Sequence, residues 1–305
     1  MNRKAPSAAE QKSLVERFRA LSRPLEPEAT GVPPRLPKLA GLRAVLFDVY
    51  GTLVVSASGD VGTDAGGGPQ LGEALRECGL QASEETAKRG AALLKQAIAR
   101  AHEVAHHAGV DHPEVDIQAM WQDVLRSLAA EGSMPGADDP VLVRRLAVEF
   151  EARANPSWPM PGAAETLAGL RERGLVLGVV SNAQFYTPLL LEALFSRTTA
   201  QLGFPAGLCA WSYRHLRAKP STALLEAALM RLRDEQKILP EAVLAVGNDM
   251  AKDVMPAARL GCRTALFAGD RRSLRVGPED PGLQHTPPDA VLTALPQLLE
   301  LVAGE

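Results

Sequence analysis

The strongest constraint in this chain is a set of short apolar runs that stop abruptly at polar, chemically capable residues. Ala44-Val45-Leu46-Phe47 stops at Asp48, Leu175–Ser181 stops at Asn182, and Val243–Gly247 stops at Asn248-Asp249. Further runs lie at Leu208–Ser212, Thr264–Phe267 and Ala290–Leu292. Each is too short for a core helix, and none alternates as a one-sided strand would. Each therefore reads as a strand buried on both faces. Helical stretches separate them: Gly162–Arg173 stopped by Gly174, Ser221–Arg233, and Asp253–Leu260 stopped by Gly261. This alternation predicts an α/β fold, a three-layer Rossmann-like parallel sheet core with its site at the carboxyl ends of the strands.

Two segments break the alternation. Residues 59–156 carry no strand signal and read as helices, from Ser83-Glu84-Glu85 to Gly109, Val115 to Ala130 and Pro140 to Ala154. A helical block placed straight after the first strand predicts a cap over the strand ends. Gly66-Gly67-Gly68 and Ser157-Trp158-Pro159 are its expected hinges. Residues 1–40 read as an extension, with a short amphipathic helix at Ser13–Leu21 and then Pro24, Pro27, Pro33, Pro34 and Pro37. The expected division is 1–40 as extension, 41–58 with 157–305 as α/β core, and 59–156 as helical cap.

Composition excludes several classes. With 46% hydrophobic and 23% charged residues the chain can build a sizeable core, and a net charge of −3 offers no basic field for nucleic acid. No apolar run approaches the ~20 residues of a membrane helix, and residues 1–19 lack the apolar stretch of a secretory signal. Cys78, Cys209 and Cys262 form neither a CxxC pair nor a disulfide framework. A cytoplasmic location is the expectation, with no nucleic-acid or membrane partner and the oligomeric state open.

Four polar stretches fall at or just past strand ends: Asp48, with Gly51 to turn the backbone; Ser181-Asn182; Lys219 before Pro220, placed in the first turn of a helix; and Asn248, Asp249 and Asp253. A carboxylate nucleophile, further acids for a hard cation, a hydroxyl and an ammonium are the parts phosphoryl transfer requires. Singly, each also serves as a turn former, helix cap or surface charge. Four in order, each at a strand end, exceed what turn chemistry explains.

These stretches resemble the motifs of the haloacid dehalogenase superfamily of aspartate-nucleophile hydrolases. They read FDVYGTL (Phe47–Leu53), VVSNA (Val179–Ala183), AKP (Ala218–Pro220) and VGNDMAKDV (Val246–Val254), with WPMPGAAETLAGLRERG (Trp158–Gly174) as a lead-in to the second strand. The resemblance covers 41–58 and 157–305, and the helical insert matches one subgroup's cap. It implies that Asp48 attacks the substrate and forms an aspartyl intermediate. Thr52, Ser181 and the backbone amides near them would bind the oxygens of the transferred group, with Asn182 offering its amide at the same rim, and Lys219 would neutralise charge. Mg²⁺ would sit on Asp48, the Tyr50 carbonyl, Asp249 and Asp253.

Two departures pull apart. The family's phosphatases carry a proton-donating Asp two residues after the nucleophile. Tyr50 stands there instead, as in the dehalogenases, whose halide needs no proton. General acid–base help is worth ~10²–10⁴ in rate. Asn248 replaces a ligating Asp, yet Asp249 and Asp253 keep a metal site open. The expectation is a Mg²⁺-dependent phosphatase acting on a small, anionic phosphorylated metabolite. The alternatives are metal-free 2-haloacid dehalogenation and a degenerate member that binds a phosphorylated ligand.

A second motif competes. His102 to His112 spells HExxHxxGxxH, the zinc-binding stretch of a metalloprotease clan. No substrate-binding edge strand precedes it, and Met134 is a poor methionine turn. His102 and His106 flank an apolar stripe of Leu94, Ile98, Ala101 and Ala105, so a helix flank is the expectation, with contact to substrate in the cleft as a further option. Tyr186, Trp211 and Tyr213 lie near strand ends as pocket or core residues. The charges of Asp270–Arg275 are expected to be solvated.

Overall fold

The apolar runs assemble into one parallel six-stranded sheet. In the computed structural model, which describes residues 6–58, 67–132, 139–277 and 286–302, these strands are β1 (Ala44–Phe47), β4 (Val176–Ser181), β5 (Cys209–Trp211), β6 (Val243–Gly247), β7 (Arg263–Phe267) and β8 (Ala290–Leu292). Their order is β5-β4-β1-β6-β7-β8, with Phe47 opposite both Val179 and Val246. The chain builds outward from β1 on one side and returns to its other side, so β1 lies at the switch point where α/β sheets open a crevice. Both faces are covered: Ala44–Phe47 are fully buried, one face packing against the helix Ala223–Gln236 and the other against the larger core. The fold is the α/β, Rossmann-like sandwich that the runs predict.

The hinge expectation at Ser157-Trp158-Pro159 is replaced by a strand. These residues form β3 (Ser157–Pro159), antiparallel to β2 (Val54–Ser56), with Val55 opposite Trp158. The pair is the neck of the helical insert. Gly66 and Met134 lie outside the described residues, and Gly68 opens a helix, α2 (Gly68–Glu77), which the sequence reading left as a connection. The insert continues with α3 (Glu84–His107), α4 (Ile117–Ala130) and α5 (Pro140–Ala154). Their starts follow local chemistry: Ser83, Asp116 and Asp139 each cap an N-terminus through a side-chain oxygen.

From residue 6 on, the N-terminal extension is part of the body. Ser7 caps α1 (Ala8–Leu21), whose Leu14, Val15 and Phe18 are buried against α5 and against α7 (Thr187–Phe195) of the core. Glu149 on α5 is paired with Arg17 and with Arg153, and Arg144 with Glu10. Beyond α1 the proline-rich stretch follows the sheet edge, where Arg35 exchanges backbone hydrogen bonds of 2.9 Å with Val291 of β8. Asp270 and Arg272, expected as solvated loop charges, secure this strap instead: Asp270 Oδ1 accepts from the Glu28 N–H at 3.1 Å, and Arg272 reaches the Glu26 carbonyl. Among the described residues no helix is long and apolar enough to cross a membrane.

Candidate active site

Asp48 follows β1 directly. Its N–H donates to the Val246 carbonyl of β6 at 2.9 Å, which fixes the side chain at the carboxyl edge of the sheet's centre. Carboxylate Oδ1 accepts from Ser181 Oγ at 2.9 Å and from Lys219 Nζ at 2.7 Å. Ser181 closes β4, the neighbouring strand. The Lys219 ammonium also donates to Asp253 Oδ1 at 2.5 Å and to the Val180 carbonyl at 3.1 Å. It thus joins two buried carboxylates. Burial works to lower the Lys219 pKa, but Asp253 and Asp48 outweigh it and hold the ammonium above the ordinary lysine value. Burial pushes Asp253 up while Lys219 opposes the shift. At 2.5 Å we take this pair as ionised.

Lys219 does not open a helix, because the next one starts at Ala223. A different device positions it. Asn182 Oδ1 accepts the Lys219 N–H at 2.7 Å, and Asn182 Nδ2 donates to the Lys219 carbonyl at 3.2 Å. One amide therefore holds both backbone groups of the lysine. The insert grips the same loop: the Ala218 N–H donates to the His112 carbonyl at 2.8 Å.

The fourth stretch is wound more tightly than expected. Asp249 caps a π-helical turn, Met250–Val254, its Oδ1 accepting from the N–H groups of Ala251 and Lys252 at 2.8 and 2.9 Å. This wide turn brings Asp253 back beneath the strand end, where its Oδ2 accepts from the Asp249 N–H at 3.0 Å. Gly247 leaves the room, since any Cβ there would collide with the Asp253 side chain.

Thr52 and Asn248 form a separate brace. Thr52 Oγ1 donates to Asn248 Oδ1 at 2.9 Å, and Asn248 Nδ2 donates to the Ser273 carbonyl at 2.7 Å. Gly51, at φ +82°, passes so close that a Cβ would sit 2.9 Å from Asn248 Nδ2 and overlap Ser273. Tyr50 is buried, and its hydroxyl pairs with Thr187 Oγ1 at 3.0 Å. Burial pushes this phenol's pKa well up, with Glu151 and Asp48 adding to the shift. It is therefore a poor proton donor to a leaving group.

Asp48, Ser181, Asn182, Lys219, Asp249 and Asp253 thus converge, Thr52 and Asn248 adjoin them, and Tyr50 faces Thr187. The zinc motif does not converge: His106 and His112 are exposed, and among the described residues no three His, Cys, Asp or Glu side chains meet at a metal-sized site. His102 lines a cleft of about 290 Å³ between the insert and the strand ends, with Asn182 and Ala218 at its base. Trp211 is core, and Tyr186 lines the cleft. The sequence reading missed Glu114 and Glu151, which also line it. A signal existed for Glu151: with Ala147 and Ala154 it falls on one face of α5 at helical spacing.

The sequence profile of haloacid dehalogenase-like hydrolases matches residues 42–261. The chain belongs to the haloacid dehalogenase-like hydrolases. No curated protein sequence matches. Among solved structures, a 2-haloacid dehalogenase from Pseudomonas syringae is similar at 22% identity and TM-score 0.54, covering 85% of this chain and 97% of its own. A HAD phosphatase from Thermococcus onnurineus is similar at 20% identity and TM-score 0.51, covering 87% and 99%. Both likenesses are of fold, and they fall on both sides of the family's chemistry.

Proposed function

We propose that this haloacid dehalogenase-like hydrolase cleaves a small phosphate ester through a covalent intermediate on Asp48. The carrying observation is that Ser181 and Lys219 both donate to one oxygen of Asp48. Two donors on Oδ1 fix the carboxylate plane and assign the attack to Oδ2. The same ammonium lies where the negative charge of an arriving phosphoryl group must be met.

The charge balance fits Mg²⁺. Asp48, Asp249 and Asp253 face the cations Lys219 and Lys252, the latter 3.9 Å from Asp249, so the site is already short of positive charge before a phosphate enters. A hard cation held by one or two carboxylates, with water and substrate oxygens completing its shell, suits this donor set. Asp48, the Tyr50 carbonyl and Asp249 would hold it, with Asp253 bonded to Lys219 behind them. Bound there, it would offset charge on the phosphoryl oxygens.

Asp48 Oδ2 attacks phosphorus, the bond from phosphorus to the alcohol oxygen breaks, and that oxygen leaves with the electron pair and takes a proton from water. Water then attacks phosphorus of the acyl phosphate, which frees inorganic phosphate and restores Asp48. Because Tyr50 pairs with Thr187, the departing alcohol receives no proton from that position. Its oxygen must leave as a comparatively weak base.

The same tyrosine favours a second reading, displacement of halide from carbon. The two readings separate in one experiment. Phosphate release from a panel of phosphate esters with Mg²⁺, lost in Asp48→Asn and with EDTA, supports phosphoryl transfer. Halide release from 2-haloacids that persists in EDTA overturns it.

The helical insert and α1 would work as one lid assembly in this reading. The insert walls the cleft beside Asn182 and Ala218, and α1 fastens it to the core through Arg17, Glu149 and Phe18.

A further inference from the structure

Buried carboxylates in this protein keep a cation close. Asp48 and Asp253 share Lys219, Glu149 has Arg17 and Arg153, Asp270 has Arg272, and Asp249 has Lys252, each within 4.0 Å. That is the rule for charge removed from water. Two half-buried acids on the cleft lack such a cation among the described residues. Glu114 accepts from Ser212 Oγ at 2.7 Å, the Val115 N–H at 2.8 Å and Gln184 Nε2 at 3.2 Å. Glu151 accepts from the Tyr186 hydroxyl at 2.8 Å and Asn155 Nδ2 at 3.2 Å. Every one of these donors is neutral, and burial pushes both carboxyls up.

Three aromatic side chains stand among otherwise aliphatic walls. Only 4% of the chain is aromatic, yet Trp121, Phe150 and Tyr186 all line this one cleft. Trp121 and Phe150 meet edge to face with centroids 5.1 Å apart. Aromatic rings beside carboxylates without counter-ions suit an organic ammonium, which cation–π attraction and ion pairing both favour. The remaining titratable lining groups are His102, whose pKa burial lowers, and Lys252, 3.9 Å from Asp249. A second anionic group on the substrate would meet Glu114 and Glu151 unshielded.

We propose that this cleft binds an organic ammonium group, primary or methylated, with Glu151 and the aromatic rings of Trp121, Phe150 and Tyr186 as its specificity determinants. Combined with the phosphate-ester reading, on which this last step rests, the substrate is a phosphate ester of a small amino alcohol. A cleft of about 290 Å³ is at the small end of ligand sites, which suits such a group. The assignment also bears on the missing acid. A positive charge near the ester oxygen lowers the basicity of the departing alkoxide, so such an alcohol leaves with less need of a proton than a simple alkyl alcohol.

The test is titration calorimetry on the full chain with choline and with dimethylbutanol, its uncharged carbon isostere. Choline should bind at least ~10-fold more tightly, and Glu151→Gln should erase the difference. Equal affinity, or no saturable choline binding, overturns the proposal. If Glu151→Gln does not fold, Glu114→Gln and Phe150→Leu carry the test, each reducing the preference for choline. Hydrolysis of phosphocholine, compared with a sugar phosphate, then separates the two claims. Choline binding without phosphate release from any ester sinks the phosphoryl reading and leaves the cleft assignment standing. Release from both esters with equal KM does the reverse. A fall in kcat alone in Glu151→Gln, with the choline preference intact, would make Glu151 an acid and overturn its role as ammonium partner.

Discussion

Asn248 Nδ2 donates to the Ser273 carbonyl at 2.7 Å, which makes an acid at position 248 incompatible with the brace that surrounds it. The amide is needed in its present orientation because Thr52 donates to its other end. Asn248→Asp would set a carboxylate oxygen against a carbonyl oxygen in a buried site. The expected cost is about 1 to 3 kcal/mol of stability, read by urea denaturation. Unchanged stability would mean that the brace does not hold the loop.

Lys219 carries both charge and position. Lys219→Met leaves Asp48 and Asp253 buried together without a cation. Breaking such a pair costs about 3 to 5 kcal/mol, and loss of a charge-stabilising donor costs roughly 10²–10³ in kcat. Asp253→Asn should retain part of the activity, since Asp48 still holds the ammonium at 2.7 Å. Paired measurements of kcat and melting temperature check both statements.

Gly51 sits at φ +82° against Asn248 and Ser273. Gly51→Ala is expected to abolish turnover while Gly31→Ala, also at positive φ but with nothing within 4 Å, leaves it near wild type. Equal effects would show that backbone strain alone, and not the close approach, matters at position 51.

The N-terminal helix makes an acid-sensitive contact. Burial raises the Glu149 carboxyl, but Arg17 and Arg153 outweigh it and hold the pKa below its ordinary 4.5. A carboxyl held low contributes stability that is complete above its unfolded value and lost as pH falls through the folded one. Glu149→Gln should therefore be less stable than wild type at neutral pH by roughly 2 kcal/mol, less than a fully buried pair because Arg17 keeps 28% of its exposure. The gap should close below pH 4.5. Denaturation curves at several pH values read it directly. Phe18→Ala, in the same contact, should cost about 3 to 5 kcal/mol.

Much of this architecture was legible from local pattern. Runs such as Ala44–Phe47 and Val243–Gly247 can only be strands covered on both sides, and Asp48, Ser181 and Asn248 follow from where those runs stop. Less legible were features that depend on what comes to lie against a segment. Val54–Ser56 and Ser157–Pro159 are three-residue strands whose pairing supplies the stability that neither sequence signals. The apolar face of α1 was visible in Leu14 and Phe18, but nothing local says that α5 and α7 cover it. Glu114 and Glu151 look like surface charges in sequence, and their partners lie on other elements: Ser212 and Gln184 for one, Tyr186 for the other. The π-helical turn that returns Asp253 to Lys219 also leaves no sequence mark distinguishing it from an ordinary helix start.

The central claim is that the covalent bond forms between Asp48 and phosphorus. It is tested most directly by a single turnover of a hydrolysed ester, phosphocholine first, in heavy-oxygen water. Mass spectrometry then reads both the released phosphate and the peptide containing Asp48. The account predicts one heavy oxygen in the phosphate, none in Asp48, and no turnover in Asp48→Asn. Heavy oxygen in the Asp48 carboxylate would place the intermediate on carbon, and turnover surviving Asp48→Asn would remove the nucleophile altogether.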